Sequence, residues 1–422
     1  MGETWGVDVA SVAGIGTNAD DPRRLPRWRE LRAYLPGRPE PFPSAARRLA
    51  AAADLGDVRR LARRRAPRMV FDYVDGAAEG EVSLARSARA FARVEFRPRV
   101  LRDVAEAPTS VEVLGRRIGM PLILGPTGFT RMMHRAGEPA VARAAARAAI
   151  PYTLSTMGTT TARDVAAAAP GGWNWFQLYV VRDRGRTRDW LRLAREAGMD
   201  VLVVTVDVPV AGARLRDVRH GLTMPPSLRW GSLLQAATRP AWWLDFLTSE
   251  PLSFATVEGA PGELAGITNL MFDPTVTLRD LEWIRSQWGG PLLVKGVQRV
   301  DDAKELAALG VDGVVVSNHG GRQLDRAPTP LELLPEVVAA VGGRTEVFLD
   351  GGVRSGADVA AAVALGARAC FVGRAYLYGL MAGGEAGVDR VLAMLRAELV
   401  RTLQLLGVGG VDGLDRDAVR LR

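Results

Sequence analysis

Cysteine occurs once in this 422-residue chain, at position 370, which excludes a disulfide framework and a cysteine-based metal site and fits a reducing, cytoplasmic setting. Lysine is almost as scarce: Lys295 and Lys304 are the only two among 55 basic residues, so arginine supplies every other cation. Histidine appears three times, as His134, His220 and His319. No apolar run reaches the roughly 18 residues of a membrane span. The opening MGETWGVDVASVAGIG has no basic n-region and carries acids inside its short apolar stretch, which argues against a secretory signal. The formal charge of +8 favours anionic small molecules or lipid surfaces. Nucleic acid is not the expected partner, because the arginines are spread along helical stretches such as ARAAARAA and LRLAREAG and no basic block interleaves with aromatics.

What is abundant is core-forming sequence: 48% hydrophobic residues against 24% charged, with 46 glycines. Residues 1–53, rich in proline and arginine (DDPRRLPRWRELRAYLPGRPEPFP), read as an irregular leader with one short helix. Beyond it, short apolar runs alternate with amphipathic stretches of helical period. The runs are PLILG, PYTLS, WFQLY, VLVVTVD, PLLVKG, GVVVSN, EVFLDG and ACFVG; stretches such as EPAVARAAARAA, TLRDLEWIRSQ and VDDAKELAALG lie between them. Eight near-continuous apolar strands separated by helices predict a parallel α/β fold closed into a (β/α)8 TIM barrel over residues 54–422. Between Asp207 and Pro291 the chain is far longer than one barrel helix needs, so an insertion is expected after the fourth strand, at about 222–275. Its stretch LRWGSLLQAATRPAWWLDFLTSEPLSF reads either as a lid over the barrel mouth or as an interfacial membrane anchor flanked by Arg229 and Arg239.

A barrel does its chemistry where strands end and βα loops begin. Those ends carry Thr127, Ser155, Gln177 with Tyr179, Thr205 with Asp207, Lys295, Ser317 with His319, Asp350 with Gly351, Gly352 and Arg354, and Gly373 with Arg374. The last two, DGGVRSG and VGRA, suit a phosphate: glycines admit backbone N–H groups and two arginines add charge. Tight turns with surface arginines are the plainer account. Lys295, at the end of an apolar strand, suits a compact charge facing a delocalised anion; the alternative is a stem snorkelling to solvent. His319 alone among the histidines stands at a strand terminus with a carboxylate, Asp207, available from another strand end. Such a pair fixes the tautomer and favours the imidazolium, which suits a proton acceptor, although a structural histidine shares the pattern. Arg322, three residues on, is placed to grip a carboxylate bidentately.

The segments FDYVDGAAE, GPTGFT, FQLY, TVDVPVAGARLRD, LVKG, SNHGGRQLD, LDGGVRSG and VGRAYLYGL, in order from roughly Asp54 to the C-terminus, resemble the FMN-dependent α-hydroxy acid dehydrogenase and oxidase family. The whole pattern is most similar to its bacterial quinone-linked L-lactate dehydrogenases. The resemblance implies FMN as cofactor and oxidation of an L-2-hydroxy acid to a 2-oxo acid. It implies His319 as the base with Asp207 orienting it, and Arg322, Arg214, Tyr73 and Tyr179 around the substrate. Lys295 would face the flavin edge; Thr127, Gly128, Ser155, Gln177, Thr205 and Ser317 would line the flavin, and Asp350, Gly352, Arg354, Gly373 and Arg374 would hold the phosphate end. A homotetramer, and a location in the cytoplasm or on the inner face of the cell membrane, are further implications.

Two departures bear on substrate and acceptor. LSTMGT puts Met157 where related oxidases resemble LSSWAT with a substrate-facing tryptophan, and Gly128 stands where many oxidases carry alanine. Met157 leaves the size of the substrate open, whereas Gly128, which mandelate dehydrogenases share, favours a dehydrogenase passing electrons to quinone over the alternative, an oxygen-using oxidase of an aromatic or biosynthetic acid that makes hydrogen peroxide. No metal is expected.

Overall fold

The computed structural model describes residue 28, residues 44–220, residues 237–250, positions 252 and 255, and residues 272–422. The chain divides into two units, Met1–Ser44 and Ala45–Arg422. The first lies almost wholly outside the described residues. In the second, eight parallel strands close into a barrel in chain order: β1 (Leu122–Leu124), β2 (Tyr152–Ser155), β3 (Asn174–Leu178), β4 (Leu202–Thr205), β5 (Leu292–Val297), β6 (Gly313–Ser317), β7 (Glu346–Asp350) and β8 (Cys370–Val372). Closure is made by Cys370, Phe371 and Val372 pairing with Leu122, Ile123 and Leu124. All eight strands fall on the apolar runs read from the sequence, with β3 starting one residue before its run at Asn174 and β5 ending one residue after its run at Val297.

Strands such as Asn174–Leu178 and Gly313–Ser317 are buried at every position, because helices cover one face and the barrel interior the other. Aromatics fill that interior: Trp175 and Phe348 each approach Phe371 at 6.0 Å between ring centroids. Gly313 admits them, since an added Cβ would stand 2.8 Å from both Leu293 Cγ and Phe348 Cε2. Each such fully buried side chain contributes about 1.5–3 kcal/mol over leaving it in water.

Outside the barrel, helices Leu55–Arg65, Arg68–Asp75 and Val82–Ala92 precede β1, and the first is capped by Asp54, whose side chain accepts from Asp57 N. A hairpin, Val111–Val113 with Arg116–Ile118, turns through Leu114 and Gly115, both at positive φ. Val94–Phe96 pairs antiparallel with Val419–Leu421, tying the C-terminus to the start of the barrel. Neither pairing announced itself in the sequence, because strands of three residues are too short to show a period.

The expected insertion lies mostly outside the described residues, Arg229 and Trp230 included. Its described helix, Pro240–Leu247, buries Trp242 and directs the indole N–H to the carbonyl of Met132 at 3.0 Å, while Leu244 and Leu247 stay exposed.

Candidate active site

One cavity of about 610 Å³ opens at the C-terminal ends of the strands. Among its lining residues are Tyr73, Thr127, Gly128, Ser155, Met157, Tyr179, Arg214, Lys295, His319, Arg322, Asp350, Gly352, Arg354, Gly373 and Arg374. Every substrate residue named from the sequence thus faces a single space. Asp207, Gln177, Thr205 and Ser317 stand behind that lining.

His319 leaves β6 with φ 57°, a left-handed conformation held by its N–H donating to Ser317 Oγ at 3.0 Å. Its Nδ1 lies 3.0 Å from Asp207 Oδ1, and the Asp207 side chain is 2% exposed. Gly296 makes that approach feasible: it sits at φ 107°, and an added Cβ would fall 2.6 Å from Asp207 Cγ. Gln323 Nε2 holds the Asp207 carbonyl at 3.1 Å. Asp207 engages Nδ1, so Nε2 is the ring nitrogen left for a substrate proton.

Arg322 Nη1 donates to the carbonyls of Tyr73 at 2.6 Å and Gly76 at 3.2 Å. Its guanidinium lies 4.9 Å from the centroid of the Tyr73 ring, and that of Arg214 lies 5.3 Å from the same centroid. Two cations on one ring repel: burial, then the neighbouring Arg214 charge, brings Arg322 down to about 10. A bound carboxylate relieves that repulsion, so the pair is an anion site before any anion arrives. Arg214 is steadied by Asp217, 3.1 Å away, whose carboxyl is pushed up by burial. Asp217 was not among the residues singled out from the sequence; its spacing of three from Arg214 within RLRD was the available signal.

Lys295 Nζ lies 2.8 Å from Asp350 Oδ2 and donates to Ser317 Oγ at 3.1 Å, while Ser317 Oγ donates to Asp350 at 2.7 Å. Burial disfavours the ammonium, but the Asp350 and Asp207 carboxylates outweigh it and raise the lysine above its ordinary value. Asp350, the reciprocal partner, is held below the carboxylate range despite its burial. Its carboxylate is therefore turned to Lys295, and Arg354, Gly352 and Gly373 are left as the phosphate-compatible part of the two loops. Gly352, at φ 91°, has no room for a side chain, because a Cβ would stand 2.8 Å from Phe91. Arg374 is a strut as well as a lining cation: Nε, Nη1 and Nη2 donate to the carbonyls of Val74, Gly320 and Gly76.

The turn after β2 carries Met157. Ser155 Oγ donates to Gln177 Oε1 at 3.0 Å, Thr156 Oγ1 donates to the Gln177 carbonyl at 2.6 Å, and the Met157 carbonyl accepts from Phe129 N at 3.1 Å. Gln177 therefore builds the turn with its oxygens. Its buried Nε2, like the buried Thr205 Oγ1, has no hydrogen-bond partner among the described residues. Orphaned donors at adjacent strand ends, beside a cavity with a lysine at its wall and arginines at its rim, fit a flavin carrying a phosphate tail. Tyr179 is buried at the mouth, and burial followed by the Asp207 charge raises its phenol, which stays a proton donor. Of the other histidines, His220 contacts Asp72 at 2.7 Å and His134 is held down to about 4 by burial and Arg65; neither lines the cavity.

Residues 62–421 match the FMN-dependent dehydrogenase family. A Mycobacterium tuberculosis relative provisionally named L-lactate dehydrogenase is 51% identical over 95% of this chain and 97% of its own. An L-lactate dehydrogenase of Caulobacter vibrioides is 45% identical over 85% of this chain and 95% of its own. Among solved structures, the monotopic membrane protein (S)-mandelate dehydrogenase superposes with a TM-score of 0.85 at 38% identity, covering 88% of this chain and all of that one. A mandelate oxidase superposes with a TM-score of 0.75 at 38% identity, covering 88% of this chain and 99% of that one. With its closed barrel and this cavity at the strand ends, the chain belongs to the FMN-dependent dehydrogenase family and is an FMN-dependent oxidoreductase of 2-hydroxy acids.

Proposed function

We propose that the protein oxidises L-lactate to pyruvate and passes the electrons to a quinone at a membrane surface. The observation that carries the reading is the His319–Asp207 pair at 3.0 Å, opening on the same cavity as the Arg322–Tyr73–Arg214 anion site. Arg322 and Arg214 bind the substrate carboxylate, and Tyr73 and Tyr179 hydrogen-bond the carboxylate and hydroxyl. This fixes the acid so that His319 Nε2 takes its proton, while Asp207 stabilises the imidazolium that forms. Bound FMN supplies the two-electron acceptor. Lys295, charged through its partner Asp350, faces the ring and favours negative charge there. Thr127, Gly128 and Ser155 line the ring, the unpartnered donors of Gln177 and Thr205 serve it from behind that lining, and Ser317 braces Lys295; Gly352, Arg354, Gly373 and Arg374 hold the phosphate end.

The lactate assignment is supported by the names of the curated relatives, and the membrane location by Leu244 and Leu247, 66% and 73% exposed on the helix Pro240–Leu247. No described helix is long and apolar enough to cross a membrane; the contact proposed is a peripheral one. Assembly as a homotetramer in the cytoplasm, on the inner face of the membrane, completes the proposal. Anaerobic mixing with L-lactate is expected to bleach the flavin, and a quinone is expected to recolour it faster than oxygen does. An absence of bleaching with every 2-hydroxy acid overturns the substrate reading; stoichiometric hydrogen peroxide formed as fast as quinone turnover replaces the dehydrogenase with an oxidase.

A further inference from the structure

Glu138 is the most deeply buried carboxylate that the chemistry above leaves unused. It is 0% exposed in the first turn of helix Gly137–Arg147, and among the described residues it forms no ion pair. Its oxygens instead accept from one turn only: Thr159 N at 2.7 Å, Thr159 Oγ1 at 2.9 and 2.8 Å, and Thr160 Oγ1 at 2.9 Å. An ionised carboxylate without a cation is expensive to bury unless its lone pairs are filled, and here donors fill both oxygens while the helix N-terminus adds a favourable dipole. Thr159 Oγ1 also accepts from Arg131 N at 3.2 Å, so the same contact locks the turn to the first βα loop.

The turn so held is the one that carries Met157. On its near side it is pinned to Gln177 through Ser155 and Thr156; on its far side the pins are Glu138 and Arg131 N. Gly158, between Met157 and Thr159, packs tightly, since a Cβ there would stand 2.9 Å from both Leu154 Cδ1 and the Ser155 carbonyl. The turn therefore has little freedom while Glu138 is in place.

We propose that Glu138 is a positioning residue that sets substrate-size selectivity: it clamps the turn so that Met157 stays pressed against Gly128 and closes the cavity beside the acid's side chain. The inference rests on the reading that a 2-hydroxy acid occupies this cavity. It requires no contact between Glu138 and substrate or flavin.

The test uses the FMN-loaded enzyme with Glu138→Gln and Glu138→Ala. In the glutamine variant one oxygen still accepts the Thr159 N–H, whereas the alanine variant loses all four contacts. Two readouts are taken. Amide hydrogen exchange of the peptide spanning residues 155–160 is expected to accelerate about 10-fold or more in Glu138→Ala and less in Glu138→Gln, as the loss of buried partners dictates. The ratio of kcat/KM for L-lactate over 2-hydroxyoctanoate is expected to fall about 10-fold in the same order, through KM more than kcat. Thr159→Val, which removes the shared hydroxyl, is expected to move both readouts in the same direction if Glu138→Ala does not fold. Unchanged exchange overturns the clamp, and faster exchange with an unchanged ratio reduces Glu138 to a structural role and overturns the proposal. If the wild-type flavin is bleached by no acid, the substrate reading has failed, and the exchange readout alone decides whether Glu138 holds the turn.

Discussion

A Cβ on Gly128 would stand 2.9 Å from the Cβ of Met157, so the glycine of the first strand-end loop and the methionine of the second are fitted to each other. The two departures read separately in the sequence are one packing unit. Gly128→Ala is expected to destabilise the protein by about 1–3 kcal/mol as overpacking, and Gly128→Ala with Met157→Gly, which removes the opposing Cβ, to recover part of that loss. Thermal unfolding of the two single variants and the double variant, treated as a cycle, measures the coupling; additive effects would show that the two residues do not share the space.

His319→Gln is expected to lower the rate of anaerobic flavin reduction by about 10²-fold or more, the scale of a lost general base. Asp207→Asn is expected to act in the same direction with the flavin still bound, since it removes the charge that stabilises the imidazolium. Stopped-flow absorbance of the flavin band distinguishes this from a binding defect, because FMN content is read in the same trace before mixing.

Acid is expected to loosen the wall behind Tyr73. Asp75 is held down to about 2, burial notwithstanding, by a bidentate bond from Arg59 together with the Tyr378 hydroxyl and Arg216. A carboxyl depressed in the folded state adds stability above its unfolded pKa, about 4, and that stability is lost as the pH falls towards about 2. The melting temperature should drop across that window and drop less in Asp75→Asn, which starts lower; parallel curves for the two proteins would exclude Asp75 as the source.

Leu244→Ser with Leu247→Ser is expected to weaken sedimentation with anionic vesicles several-fold while leaving lactate-driven reduction of a soluble dye intact. Neither leucine lines the cavity. Equal vesicle binding by the variant and the parent protein would remove this helix from any membrane contact.

Periodicity and composition were sufficient to place all eight strands, because a strand buried on both faces must be apolar throughout and the helices between must be amphipathic. Strand-end position then picked out His319, Lys295, Arg322 and Tyr179, which chemistry makes conspicuous by residue type. The bond from His319 to Asp207 joins residues 112 apart in the chain, and it exists only because the barrel brings β4 and β6 to one rim with Gly296 between them making room. Long-range geometry also decided which arginine is a strut and which carboxylate is a support: Arg374 holds three backbone carbonyls, and Glu138 ties down the Met157 turn. Local sequence carries a residue's type and its face, whereas a hydrogen bond depends on distances that only closure of the barrel sets.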